Sequence, residues 1–252
     1  MELWPYSTFC ILAAVVVVGG TGVAATKRKM AGVKVLITLL MAATGAFVGA
    51  RGLYVLTNLQ NNKVSYWDWN FHNFSLYGGI MVAMAMGFMA ARLLKINPIK
   101  LADVTTPFVG IGIALIRVGC YLHGCCFGTE TTLPWGVKFA PFSPAHIYQL
   151  RQEGGEIFEV HPVHPTQIYE LIAALMGSMI ATIVLKRKMK NGAATIIFWT
   201  WFSACRLIIH FLRQPSSPLD GSMFYPVLYV LIVVLGMTYV YKRKLLARQL
   251  LG

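Results

Sequence analysis

Seven stretches of this 252-residue chain stay apolar for the length a bilayer demands: 3–25, 33–57, 74–91, 101–124, 166–185, 193–213 and 222–241. A helix needs about 20 such residues to cross the hydrocarbon core. Without water to satisfy backbone groups there, a run of that kind has to be helical. The expected fold is therefore all-α: a polytopic membrane protein of seven transmembrane helices, forming one domain over residues 1–252. Composition agrees, at 57% hydrophobic and 12% charged, where soluble chains are about 45–50% apolar and 25% charged. Those proportions exclude a disordered chain, a disulfide scaffold and an ordinary cytosolic enzyme. The first run is not a cleavable signal peptide, because Met1-Glu2-Leu3-Trp4 offers no basic start and the basic cluster follows the run.

In a soluble protein the net charge of +13 would point to nucleic acid. Here no nucleic-acid partner is expected, because the charge sorts by loop. Lys27, Arg28, Lys29 and Lys34 follow the first run, and Arg92, Lys95 and Lys100 the third. Lys186, Arg187, Lys188 and Lys190 follow the fifth, and Lys242, Arg243, Lys244 and Arg248 the seventh. The opposite loops hold only Lys63, Lys138 and Arg151. An alternation of this kind places the N-terminus outside and the C-terminus in the cytoplasm. Trp67 and Trp69 are placed to anchor the third helix at the interface. One long outward segment, 125–165, joins the fourth and fifth runs; within it 147–152 and 156–160 flank Gly154-Gly155 and are expected to form a short hairpin.

Four basic residues remain, all in the outer half of the membrane: Arg51, Arg117, Arg206 and Arg213. Arg51 is about eighteen residues into its run, or about 27 Å along a helix rising 1.5 Å per residue. An intramembrane charge costs at least about 2.5 kcal/mol, so each should face the bundle interior with a partner. Arg51 and Arg213 are also near enough to the interface to snorkel. Glu170 is the one acid at the outer end of a helix that could reach them. Four cations around one carboxylate call for an anion from elsewhere, and a phospholipid phosphate fits, since guanidinium binds it bidentately.

Three further clusters carry chemistry. Cys120, His123, Cys125 and Cys126 fall within seven residues at the outer end of the fourth helix, among Gly119, Gly124 and Gly128. Four readings stay open: metal ligands completed by His161 or His164, a disulfide from Cys120, a reactive thiol beside Arg117, or packing. The spacing lacks a second standard ligand pair, so neither a metal nor a cofactor is expected. The segment His161-Pro-Val-His164-Pro-Thr-Gln167-Ile-Tyr169-Glu170 brings polar groups to a helix start, with Pro165 suited to that position. Arg206, His210 and Arg213 lie four and three residues apart, on one helix face.

In order along 45–215, these residues resemble the motifs of the bacterial prolipoprotein diacylglyceryl transferase family. Gly49-Ala50-Arg51-Gly52-Leu53-Tyr54 resembles its G-x-R-x-x-Y, and Tyr77-Gly78-Gly79 its H-G-G. Arg117-Val118-Gly119 with Gly124 resembles its G-R-x-G-N-F-x-N-G-E. Pro134-Trp135 and His164-Pro165-Thr166-Gln167-Ile168-Tyr169-Glu170 resemble P-W and H-P-[ST]-Q-[LI]-Y-E. Arg206 with Phe211-Leu212-Arg213-Gln214-Pro215 resembles R-x-x-x-E-F-x-R-x-P.

The resemblance implies a seven-helix enzyme of the bacterial inner membrane with its active site toward the periplasm. It would move the diacylglyceryl group of phosphatidylglycerol to the lipobox thiol of prolipoproteins, with their signal peptides as partners, and release glycerol phosphate. Arg117 and Arg206 would hold the lipid phosphate, with Arg51, Arg213, Gln167, Tyr169 and Glu170 completing the substrate site. The acid and base positions depart from the family. Its histidine is Tyr77 here, its two asparagines are Cys120 and His123, its signature glutamate is Cys125, and the glutamate after the helix-six arginine is His210. The expected catalytic groups are accordingly His123, Cys125, His164, His210 and Tyr77, a histidine serving as base and Cys125 as a structural or covalent group. The alternatives are a related phospholipid-using transferase with another acceptor, or a non-enzymatic seven-helix lipid-binding or transport protein. A retinal protein is disfavoured, because 222–241 contains no lysine.

Overall fold

The computed structural model describes residues 4–58, 76–152, 160–187, 189–215 and 223–249. Eight helices are present among them: α1 Trp4–Lys27, α2 Gly32–Asn58, α3 Leu76–Leu93, α4 Pro98–His123, α5 Pro144–Gln152, α6 Thr166–Lys186, α7 Ala193–Leu212 and α8 Phe224–Gln249. All except α5 coincide with an apolar run. Six (α1, α2, α4, α6, α7 and α8) are long and apolar enough to cross a membrane, and α3 carries a shorter apolar stretch, Met81–Leu93. Apolar side chains cover their outer faces, including Ile11, Val15, Val23, Met84, Met179, Val234 and Leu235. So much exposed hydrocarbon suits lipid, not water. The chain is an all-α polytopic membrane protein.

Two expectations need correction. Residues 147–152 lie in α5, a helix, where a hairpin strand was expected. The physical signal is upstream: Pro144 sits at the first helical position and the Ser143 hydroxyl accepts the His146 N–H at 3.3 Å, a helix start that outweighs a six-residue run. Residues 156–159 of the second expected strand, and Trp67 and Trp69, fall outside the described residues, and Val160 is not in a strand. Helix α8 also runs to Gln249, past the expected end at 241, because the basic tail contains no breaker.

The chain packs as two compact units, 18–104 and 1–17 with 105–252. In the first, α2 and α3 lie backbone to backbone. A Cβ on Gly49 would come within 2.2 Å of the Gly78 carbonyl oxygen, and one on Gly78 within 2.2 Å of that of Gly49. Lipid supplies no hydrophobic drive between helices, so such small-residue seams gain their energy from close van der Waals contact. Helices α1 and α3 both close on a lysine in the left-handed region, Lys29 and Lys95. The next amide then reaches back, Met30 N–H to Ala25 and Ile96 N–H to Ala91, which satisfies terminal carbonyls. Asn97 caps α4, its side-chain oxygen accepting from the amides of Ile99 and Lys100.

In the second unit, α6 and α7 pack around Phe198, fully buried among Ala173, Ala174, Ala181 and Ala194. Gly110 and Gly177 press on the Phe198 ring. Pro107 removes one backbone donor from α4, and beside it the Ser178 hydroxyl of α6 donates to the Pro107 carbonyl at 2.6 Å. These contacts pack α4, α6 and α7 against one another.

Candidate functional site

Glu170, one turn into α6, is the centre of the site and only 1% exposed. Its Oε2 lies 2.5 Å from Arg117 Nε of α4. Its Oε1 meets Arg206 Nη1 of α7 and, at 3.5 Å, Arg213 Nη1 just past the end of α7. The three arginine side chains are 14–19% exposed. Burying them without partners would be prohibitive, and one carboxylate answers for three positive charges. Among the described residues Glu170 is the carboxylate on these guanidiniums, so the cluster keeps more positive than negative charge and attracts an anion. Arg206 is also held from α8: its Nε and Nη2 donate to the Tyr229 hydroxyl at 3.2 and 3.0 Å, and its carbon lies 5.6 Å from the Tyr229 ring. That fixes the fork of Arg206 in one plane.

The loop after α4 is stitched over this cluster. Gly124 (φ 74°) turns the chain, and the Cys125 amide closes back on the Cys120 carbonyl. From the first turn of α6, the Thr166 hydroxyl donates to the Cys126 carbonyl and the Gln167 amide to the Cys125 carbonyl, both at 2.7 Å. Gly128 pairs with Arg213 in an antiparallel bridge. The Thr129 amide bonds the Leu212 carbonyl, and the Gln214 amide that of Phe127. A Cβ on Gly128 would meet His164 and Leu212 at 2.5 Å. Only glycine fits there.

The loop carries the thiols inward. Cys120, Cys125 and Cys126 are free, and their sulfur atoms all lie within 4.8 Å of one another. Arg117 Nη1 points to Cys120 Sγ at 3.8 Å. Cys126 adopts φ 61°, a conformation uncommon for a side-chain-bearing residue. Hydrogen bonds from the Cys120 and Cys125 thiols pull the Cys126 thiol well below its usual range, and Arg213 and Arg117 add to this against the effect of burial. The same contacts with Cys120 and Cys126 push Cys125 up, burial adding to them.

The histidines take different places. His164 Nδ1 lies 3.2 Å from the Tyr169 hydroxyl, which accepts the Trp135 indole N–H at 2.9 Å. The Trp135–Tyr169–His164 chain orients one imidazole at the start of α6. His123 ends α4 with its ring 6.4 Å from that of Tyr6. His210 is half-buried, one turn from Arg206, its ring against Phe211. Arg51 belongs to the other unit, its guanidinium 5.7 Å from the Tyr54 ring. Tyr77 is in α3, but its side chain lies outside the described residues.

The structure thus joins Arg117, Arg206, Arg213 and Glu170 directly, with Gln167, Tyr169, His164 and Cys125 on the segments that enclose them. Sequence reasoning missed Tyr229, for which an isolated tyrosine in an apolar span gave no signal. It also left Cys120 and Cys126 out of the site, although their closeness to Cys125 along the chain was a signal.

An ordered set of arginines, one glutamate and a roofing loop invites comparison with known proteins. The family model described as prolipoprotein diacylglyceryl transferase matches residues 1–242. The chain belongs to this family. Curated relatives carrying the name phosphatidylglycerol–prolipoprotein diacylglyceryl transferase include one from Clostridium tetani, 26% identical over 69% of this chain and 66% of its own length. One from Geobacter sulfurreducens is 28% identical over 80% of this chain and 71% of its own. One from Serratia proteamaculans is 29% identical over 79% and 75%. The chain therefore spans about two-thirds to three-quarters of these relatives.

Proposed function

We propose that the chain is a membrane transferase that moves the diacylglyceryl group of phosphatidylglycerol to an acceptor thiol, the lipobox cysteine of a prolipoprotein. Family membership and the names of the relatives support the donor and the acceptor. The observation that carries the reading is the gathering of three guanidiniums on the one carboxylate of Glu170. As the thiolate sulfur bonds to the glycerol carbon, that carbon's bond to the phosphate oxygen breaks, and the electron pair leaves with glycerol phosphate. A singly charged phosphodiester thereby becomes a phosphomonoester of higher charge. Arg117, Arg206 and Arg213 stabilise the departing group more than the bound lipid, which is the condition for accelerating the step. Gln167 and Tyr169 complete the substrate site in this reading.

A histidine takes the thiol proton, with His164, His123 and His210 as the candidates. The Tyr169 hydroxyl bond favours His164 as an oriented base. Tyr77 and Cys125 occupy positions where the family carries acid–base groups. In this reading the chain forms one domain of seven spans in the bacterial inner membrane, α3 being the seventh, with the N-terminus outside, the C-terminus cytoplasmic and the site toward the periplasm. Loop charge supports that orientation. Purified protein with phosphatidylglycerol and a lipobox peptide should yield glycerol phosphate and the thioether-linked peptide, and a peptide with serine at the acceptor position should yield neither. Absence of product from folded protein would overturn the lipoprotein reading.

A further inference from the structure

Cys120 and Cys125 stand where the family signature resembled by this segment carries an asparagine and a glutamate, Cys126 follows directly, and the three converge. Their sulfurs lie within 4.8 Å of one another, while Cys10 of α1 and Cys205 of α7 are not part of the cluster. Three thiolates on one zinc, each at about 2.3 Å, would stand about 3.8 Å apart, so the group closes on an ion by moving about 1 Å at most. The approach is built by the backbone. The left-handed φ of Cys126 turns its side chain toward the other two, and Thr166 and Gln167 clamp the carbonyls of Cys126 and Cys125. A left-handed non-glycine residue costs of order 1–3 kcal/mol and persists where surrounding contacts demand it.

The charges agree as well. Three thiolates and one divalent cation make a complex of net charge −1, and Arg117, 3.8 Å from Cys120 Sγ, sits where such a complex is stabilised. Mere packing explains neither the strained backbone nor the guanidinium–sulfur approach. A disulfide would use two sulfurs and strand the third.

We propose that Cys120, Cys125 and Cys126 bind a single zinc ion through three sulfurs, leaving a fourth position open to the acceptor thiol. Three protein ligands with one open position is the arrangement of zinc sites that do chemistry. Cys120 is buried while Cys125 and Cys126 are half-buried, so the open side is the loop side. A thiol entering the fourth position forms a zinc–sulfur bond and gives up its proton to the histidine base, because a coordinating thiol is deprotonated outright. Its sulfur lone pair then attacks the glycerol carbon as the carbon–oxygen bond to phosphate breaks. Zinc neither gains nor loses electrons. The metal site stands independently of the transferase reading; the role of the fourth position rests on it.

The test is to load the purified full-length protein with Co²⁺ in place of zinc and read its sulfur-to-cobalt charge-transfer and visible bands. One cobalt per chain is expected, displaced by stoichiometric Zn²⁺. Affinity should fall more than about 100-fold in Cys125→Ser and Cys126→Ser, beyond the loss expected from a merely supporting group, and be unchanged in Cys10→Ser and Cys205→Ser. Thermal unfolding in the same detergent identifies any variant that has not folded, and the wild-type spectrum is decisive without variants. A lipobox peptide bearing cysteine should shift the visible bands, and its serine counterpart should not. Folded wild-type protein without the charge-transfer band would overturn the site. A band unmoved by the cysteine peptide would overturn the open fourth position. If the bands shift but no glycerol phosphate forms from phosphatidylglycerol, the zinc site holds and the proposed transferase reaction fails.

Discussion

The α2–α3 seam and the α4–α6–α7 site show two ways of holding membrane helices together. At the seam, Gly45, Gly49, Gly78 and Gly79 let two backbones approach closely. The site does the opposite. Arg117, Arg206 and Arg213 are drawn onto Glu170 at a large desolvation cost. A fold alone would not need that cost, since glycine seams join helices without it. Buried charge in excess of its partner marks the place where a ligand's charge completes the balance.

The largest expected effect falls on the hub of the site. Glu170→Gln leaves three guanidiniums with no carboxylate, and breaking a buried ion pair costs about 3–5 kcal/mol. Thermal unfolding in detergent should show a large fall in Tm, relieved by added phosphatidylglycerol but not by a zwitterionic lipid. Gly49→Leu tests the other region. Its side chain would collide with the Gly78 carbonyl and Val82, and overpacking of this kind costs about 1–3 kcal/mol. Stability should drop with no lipid-specific rescue, and the molecules still folded should keep their turnover.

Smaller changes sharpen the same contrast. Tyr229→Phe removes the hydroxyl that accepts from Arg206, at a cost of about 1–2 kcal/mol. Its KM for phosphatidylglycerol should rise more than its Tm falls. Thr166→Val loses the bond to the Cys126 carbonyl, worth about 1 kcal/mol. Hydrogen exchange should quicken at residues 125–129 and stay unchanged in α2 and α3.

Much of this was legible from residue type because a bilayer punishes exceptions. Apolar runs became helices α1–α4 and α6–α8 with starts within three residues of expectation. Arg117, Glu170, Arg206 and Arg213 stood out because charge in a span must be answered. What was hidden depended on tertiary proximity. Tyr229 looks like any other interfacial tyrosine until α8 brings it to Arg206. The Cys126 sulfur reaches Cys120 only through a left-handed backbone that no spacing rule signals. Helix α5 was misread because the glycine pair after it is a stronger turn signal than the Ser143-Pro144 start is a helix signal.

The central claim is that the arginines around Glu170 hold the phosphate of a lipid donor during transfer to a thiol. Turnover of phosphatidylglycerol with a lipobox peptide, compared between wild type and Arg117→Ala, tests it most directly. The account predicts thioether product and glycerol phosphate from the wild type. For the variant it predicts at least a roughly 100-fold fall in kcat while the protein remains folded, in line with removing a donor to developing negative charge. Equal turnover by the two proteins would contradict it, as would a folded wild type that makes no product.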